Sequence, residues 1–373
     1  MSYGKSEAAD LILKACRELK EHKLIIRTWG NISARISSEL MLITPSGRDY
    51  DTLTAEDLVT VNIYSGLCDE GKTPSSEAGV HMACYQNRPE VNFVIHTHQP
   101  YASALSVLGH DIKLGDRVSD SVKELLGEVI ACASYGPNGS KKINKAVTQC
   151  LLEHPDSSHV LMKNHGALCF AEDYDKAFKV AYTLEALSEK VYERYISAEM
   201  VPLKEQVRRF KIEKEQLSAV MGKSAEKTVP QVQIIQSVTD DVDRDSEKVG
   251  MWILHVRSEY IVKMSQLDST MKAYLDDLAQ IAGPSIRCIS AGSPHKMVMK
   301  VLGSADAILV HNDGAYCTGS TYDEALCVAE VMEKGCLAAY LALIRGASPL
   351  GFFDALKDRR TYTKKYSKLM MQE

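Results

Sequence analysis

Paired cysteines are missing. The ten cysteines stand as singletons with no CxxC among them, which excludes zinc-ribbon and thioredoxin-type motifs. In a chain of this length the pattern predicts free thiols rather than a disulfide framework. Cys68, Cys84 and Cys169 have no activating neighbour and are expected to pack. Long apolar runs are also missing, so no segment predicts a transmembrane helix. The opening stretch MSYGKSEAADLILKACRELKEHKL is charged throughout. It predicts an amphipathic helix over 6–23 rather than a signal peptide, and with it a cytoplasmic protein. Neither sign of charge dominates. The 44 basic and 49 acidic residues leave a net charge of −5, with no general pull toward nucleic acid or an anionic membrane. No P-loop or GxGxxG is present, so no nucleotide site is predicted. The composition, 45% hydrophobic and 25% charged over 373 residues, is that of a globular protein with room for two cored domains.

What is present is a histidine pair in an apolar run, VIHTHQPYASAL, carrying His96 and His98. Side chains at i and i+2 of a strand share one side, so the two imidazoles stand together. They are either a metal pair or two satisfied histidines. Around them the chain mixes helices and short strands. LMLITPSG reads as a strand, TPSSEAGVHMACYQNRP as a turn into a helix with Ser75 or Ser76 near the N-cap. HVLMKNHGALCF reads as a strand with a tight turn at Gly166, and DYDKAFKVAYTLEALSEKVYERYI as an amphipathic helix. The charge-dense stretch over 203–228 reads as a connector.

The chain then repeats itself. With Asn164 set on Asn312, Gly166, Ala167, Cys169, Tyr174, Asp175, Ala177, Val180, Ala181 and Glu185 meet identical residues. Upstream, VIHTHQPYASALS lines up with ILHVRSEYIVKMS, placing His96 on His255 and Tyr101 on Tyr260. The differences carry the chemistry: His98 faces Arg257 and His165 faces Asp313. An arginine offers no neutral donor to a metal. The second copy also lacks TWGN, TPSG and TPSSE, and so reads as shortened and chemically degenerate. Its His255, Arg257, Tyr260 and Asp313 either face a neighbouring site or only pack.

The comparison singles out His96, His98 and His165. Three histidines from two strands can fill three positions of a zinc site and leave one open. Glu77 precedes the histidine strand and suits an acid/base beside a dication; alternatively it only favours a helix dipole. Gly30, Asn31, Ser46, Gly47, Ser75 and Ser76 supply amides and hydroxyls of the kind that bind phosphate at turns and helix N-termini, although such residues are usually only turns.

In order and spacing, GN (Gly30, Asn31), TPSG (Thr44 to Gly47), PSSE (Pro74 to Glu77), HTH (His96 to His98) and NHG (Asn164 to Gly166) resemble the class II aldolase/adducin family, over about residues 6 to 200. The resemblance implies an α/β fold, a three-layer α/β/α sandwich around a mixed, largely antiparallel central sheet, duplicated with the second copy shortened. The expected division is a catalytic domain over 1–202, the connector over 203–228 and a degenerate domain over 229–373. It implies Zn2+, or another divalent metal, on His96, His98 and His165, with Glu77 as catalytic acid/base. The substrate phosphate falls to Gly30, Asn31, Ser46, Gly47, Ser75 and Ser76. The implied reaction is cleavage of a ketose 1-phosphate, a phosphorylated sugar, to dihydroxyacetone phosphate and an aldehyde. A homo-oligomer is implied, with its active site near a subunit or pseudo-subunit interface and no nucleic-acid or membrane partner. The family also includes sugar-phosphate epimerases, a dehydratase, decarboxylases and the adducin scaffold. Where an aldolase of the family draws a second acid/base tyrosine from a neighbouring subunit, KLGDRVSDSVKELLGE has none. Asp120, with Asp116 near it, is the candidate; a solvated loop is the alternative.

Overall fold

The segment GNISAR alternates polar and apolar side chains yet is buried throughout, so its strand must be covered on both faces. The computed structural model describes residues 2–26, 29–198, 231–234, 252–267, 270–302 and 305–366. Chain contacts separate Met1–Val191 from Tyr192–Glu373, the division falling within a helix. The expected connector over 203–228 and the boundaries at 202 and 229 lie outside the described residues.

In the first unit the strands are β1 (Gly30–Arg35), β2 (Leu40–Ile43), β3 (Val59–Asn62), β4 (Phe93–Thr97), β5 (Ile112–Lys113), β6 (Val129–Ile130), β7 (Cys132–Ala133), β8 (His159–Met162) and β9 (Ala167–Ala171). Seven form one sheet in the order β3-β2-β1-β4-β9-β8-β7, and β5 pairs with β6 apart from it. Every neighbouring pair in the large sheet is antiparallel except β7 with β8. The helices are α1 (Lys5–Glu21), α2 (Ala78–Asn87), α3 (Pro100–Ser106), α4 (Asp120–Leu126), α5 (Lys141–Glu153) and α6 (Tyr174–Ala198).

Two layers of helix cover this sheet. On one face Val80 and Ala83 of α2 and Ile143, Val147 and Leu151 of α5 pack on Met41, Val61, Val94, Val160, Leu168 and Phe170. On the other, α1 buries Ala8, Ile12, Ala15, Cys16 and Leu19, the apolar stripe of a helix with its period, and lies over β1 and β2. The result is the three-layer sandwich that the sequence implied. Ser75 and Ser76 lie just before the N-cap of α2, as expected, and one local expectation, the packing of Cys68, fails. The N-cap of α2 is Glu77 and no side chain caps it. Ser75 Oγ instead accepts a hydrogen bond from the Glu77 amide at 3.2 Å, closing a turn before the helix begins. Cys68 is exposed, whereas Cys84 and Cys169 are buried as expected. Cys68 sits in a turn that bridges back to Val61, where no second layer covers it. All ten cysteines are free.

The second unit repeats the plan in shorter form. Its sheet has the order β10-β11-β16-β15-β14, built from β10 (Gln231–Ile234), β11 (Trp252–Arg257), β14 (Cys288–Ile289), β15 (Ala307–Val310) and β16 (Gly314–Gly319). Again only one pair, β14 with β15, is parallel. The strands β12 (Met271–Lys272) and β13 (Ser285–Ile286) pair separately, as β5 and β6 do. One backbone idiosyncrasy recurs: Asn164 and Asn312 are left-handed, with φ of 62° and 57°, a region that asparagine tolerates better than most residues. Among the described residues nothing in this unit corresponds to β2, β3 or α2. No described helix is long and apolar enough to cross a membrane.

Candidate metal centre

The antiparallel register of β1 on β4 sets Asn31 opposite His96 and Ser33 opposite Val94. Strand alternation then turns Asn31, Ser33 and Arg35 toward α2. Arg35 confirms the direction by bonding the carbonyls of Tyr85, Arg88 and Val91. His96 shares that face, and His98 follows two residues on. His165 comes from the turn between β8 and β9. Glu77 stands at the start of α2.

Four side chains therefore converge from three parts of the sequence. One donor atom each from Glu77, His96, His98 and His165 lies within 4.8 Å of the others. His96 Nε2 is 3.0 Å from His98 Nε2 and 3.1 Å from His165 Nε2. The Glu77 carboxylate lies 3.2 Å from His96 Nε2 and 2.7 Å from His165 Nε2. All four residues are 5% exposed or less.

Two features fit a divalent cation. His96 Nδ1 lies 2.9 Å from the carbonyl of Ala167. Only a protonated Nδ1 can donate to that oxygen, so in the neutral ring Nε2 carries the lone pair and faces the cluster, the arrangement of a ligating histidine. Glu77 Oε1 is buried and accepts no hydrogen bond of good geometry. That oxygen lies 2.7 Å from His165 Nε2, and two such acceptor atoms need a proton or a cation between them. Imidazole nitrogens with a carboxylate oxygen are a donor set suited to zinc and its neighbours. Burial alone would push the Glu77 carboxyl up, but the imidazoles of His96 and His165 outweigh it and hold it well below the usual range.

Behind the cluster runs a chain of buried polar groups that sequence reading missed. Asn31 Nδ2 donates to Glu77 Oε2 at 2.8 Å. Asn31 Oδ1 lies 2.5 Å from His81 Nε2. His81 Nδ1 lies 2.7 Å from Ser33 Oγ, and Ser33 Oγ lies 2.9 Å from Tyr85 Oη. Burial, helped by the charge of His96 and opposed by Glu77, pushes the His81 imidazole down to about 3, so the ring is neutral and carries one N–H. The available signal was spacing: His81 follows Glu77 by one helical turn, and β1 has a polar residue at every second position.

The other expected residues are placed as follows. Pro45 bridges Pro74, which brings Ser46 and Gly47 beside Ser75 and Ser76. The amides of Ser46 and Ser75 are already donated to the carbonyls of Thr73 and Thr44, each at 3.1 Å, so those two are not available to an anion. Gly30 lies where a Cβ would come 2.8 Å from the His96 carbonyl, so glycine permits the close approach of β1 to β4. Asp120 is exposed in the first turn of α4 and Asp116 is exposed before it; neither belongs to the donor cluster. In the second unit Asp313 lies 3.2 Å from His255 Nε2 and 3.8 Å from Arg257. The equivalent position thus holds an ion pair, and the Arg257 side chain is 50% exposed.

Residues 10–192 and 249–340 match the family described as Class II Aldolase and Adducin N-terminal domain. The chain is 32% identical over 180 residues to the L-fuculose phosphate aldolase of Methanococcus maripaludis, across 48% of this chain and 93% of that protein. It is 35% identical over 181 residues to the 5-methylthioribulose-1-phosphate/5-deoxyribulose-1-phosphate aldolase of Escherichia coli, across 48% of this chain and 81% of that one. A solved L-fuculose 1-phosphate aldolase overlays with a TM-score of 0.47 at 28% identity, over 55% of this chain and 94% of that one.

Proposed function

The chain belongs to the class II aldolase and adducin N-terminal domain family, and from that premise we propose that it is a metal-dependent aldolase that cleaves a ketose 1-phosphate to dihydroxyacetone phosphate and an aldehyde. The observation that carries the reading is the buried convergence of Glu77 with His96, His98 and His165. An adducin-like scaffold has no need of it. Relatives named for L-fuculose phosphate and for 5-methylthioribulose 1-phosphate support a phosphorylated ketose and leave the aldehyde half open.

In this proposal His96, His98 and His165 hold the metal, which we assign as Zn2+, although another divalent ion suits the same donors. When bound, the metal supplies Lewis-acid polarisation of the substrate carbonyl. The protein's own groups move the protons. On cleavage the C3–C4 bond breaks, the C4 hydroxyl loses its proton as the aldehyde forms, and the electron pair left at C3 takes a proton from Glu77. In the reverse, condensing direction the ionised Glu77 carboxylate takes the same proton from the hydroxymethyl carbon of dihydroxyacetone phosphate, so the proton given up in cleavage is the one removed in condensation. The loops carrying Ser46, Gly47, Ser75 and Ser76, with Gly30 and Asn31, are assigned to the phosphate. Asp120 is assigned to the hydroxyl proton, and an unchanged kcat in Asp120→Asn would remove it.

The deciding experiment measures bound metal per chain and dihydroxyacetone phosphate release from a panel of ketose 1-phosphates, with and without chelator. About one metal per chain with chelator-sensitive release is expected. Metal without release would move the activity to an epimerase, dehydratase or decarboxylase. No metal would favour a scaffold.

A further inference from the structure

Each hydrogen bond in the chain behind Glu77 has only one workable polarity. An ionised carboxylate only accepts, so the Asn31 amide must present Nδ2 to Glu77 Oε2 and Oδ1 to His81. His81 must then donate from Nε2, which leaves Nδ1 as an acceptor. Ser33 Oγ must donate to Nδ1 and therefore accept from Tyr85, whose phenol burial keeps protonated. The order runs from Tyr85 through Ser33, His81 and Asn31 to Glu77, with every donor pointing toward the carboxylate. Asn31, Ser33, His81 and Tyr85 are each 4% exposed or less, so water does not substitute for any link.

We propose that His81 is a positioning residue: through its Nε2–H it fixes the orientation of the Asn31 amide, and through that amide it fixes the Glu77 carboxylate against the three histidines. Without that N–H the Asn31 amide has no reason to prefer one orientation. Flipped, it would set its oxygen against the Glu77 carboxylate and turn the carboxylate away from the cluster. The inference rests on the reading of Glu77 as the carboxylate of a metal centre, and it assigns to α2 a task beyond covering the sheet. Ser33 serves the same end by holding the ring in the Nε2–H tautomer.

Two substitutions separate this task from packing. His81→Gln places an amide N–H near the Nε2 position and keeps the link to Asn31. His81→Asn reaches only the Nδ1 position, so it keeps the link to Ser33 and loses Asn31. The probe is Co2+ alone, titrated into the metal-stripped full chain and read by its visible absorption, with thermal unfolding recorded on the same samples. The expected result is that His81→Gln binds Co2+ within about threefold of the parent, while His81→Asn binds about 10- to 100-fold more weakly, the usual loss when an outer partner of a metal ligand is removed. Should His81→Asn not fold, Ser33→Ala gives the same reading, because a ring freed to the other tautomer no longer donates to Asn31; a loss of about tenfold is expected. Equal affinity in the Gln and Asn variants, or affinity that follows thermal stability and not the identity of the link, would overturn the proposal. Parent cleavage of the ketose 1-phosphate panel reports separately on the aldolase reading, since Co2+ absorbance needs no substrate.

Discussion

A single added methyl group, placed at the same point in each copy, should separate fold from function. Gly166 and Gly314 both face the carbonyl of a neighbouring strand. A Cβ on Gly166 would lie 2.3 Å from Thr97 O and 3.2 Å from His96 Cε1. A Cβ on Gly314 would lie 2.3 Å from Val256 O and 3.2 Å from Arg257 Cγ. Each carbonyl is backbone and cannot swing aside, so the two strands must part by roughly 0.7 Å to reach even 3.0 Å. Overpacking of this kind costs about 1–3 kcal/mol. In a unit of this size that lowers the melting transition by about 2–12 °C. Both alanine variants should show such a loss by calorimetry, the larger in Gly314→Ala, where a φ of 141° adds backbone strain. Their effects on metal should differ, because the strands parted by Gly166→Ala carry His96 on one side and lead from His165 on the other. Metal bonds tolerate only about 0.2 Å of misplacement, so the affinity of Gly166→Ala for Zn2+ or Co2+ should fall at least about tenfold, by analogy with the loss of outer-shell support. Gly314→Ala should leave it unchanged. Equal metal losses in the two variants, or a Gly166→Ala protein with parental affinity and stability, would refute the reasoning.

Other substitutions extend the test. His98→Ala should abolish metal binding measured by equilibrium dialysis, while Arg257→Ala should leave it intact; equal loss in both would undo the assignment of the two copies. His159, buried in β8 with the charge of His154 near it, is pushed down to about 4 from 6.5 by burial first. The unfolded chain therefore takes up a proton between those values that the folded chain refuses. Stability fully present above pH 6.5 is lost as pH falls toward 4, by on the order of 3 kcal/mol. His159→Leu should flatten the pH dependence of urea unfolding in that window, and an unchanged slope would count against it. In the second unit Lys334 Nζ bonds Asp277 with side-chain exposures of 1% and 0%. Asp277→Asn should lose about 3–5 kcal/mol in denaturant unfolding, and Asp277→Leu with Lys334→Met should recover most of it; a double variant no better than the single would contradict the pair.

Legibility in the sequence depended on how far each feature was set by local chemistry. The histidines were readable because His96 and His98 share a strand face by period alone, and because the second copy had replaced His98 and His165 and so marked them. The turn at Gly166 was readable for a related reason: Gly314 stands at the same point, and a 2.3 Å approach admits few alternatives. The serines were readable as neighbours of the α2 cap but their use was not, because serine before a helix has two uses, and Ser75 bonds the Glu77 amide to close a turn. That the amides of Ser46 and Ser75 are donated across the bridge between Pro45 and Pro74 was not readable, because such pairing between distant loops leaves no local mark. His81 was missed because composition gives no face. Only the register of β1 on β4 shows that Asn31 and Ser33 look toward α2.

The two copies differ both in their ligands and in what surrounds them. In the first unit β1 and helix α2 flank the cluster, and a buried carboxylate among three imidazoles needs positive charge nearby to offset its lost hydration. In the second unit β10 pairs with β11 as β1 pairs with β4, and Gln233 stands opposite His255 where Asn31 stands opposite His96. Among the described residues nothing there corresponds to α2, however, and none of them is a counterpart of Glu77 or His81. Asp313 meets Arg257 at 3.8 Å with side chains 32% and 50% exposed, a pair worth at most about 1 kcal/mol and screened by salt. Water can solvate these groups, so neither a metal nor a relay of fixed donors is required. Among the described residues, absence of the cover and absence of the ligands therefore go together: His255 has no neighbouring imidazoles and no helix carboxylate with which to share a cation, and Asp313 is offset by water and by the half-exposed guanidinium of Arg257 instead.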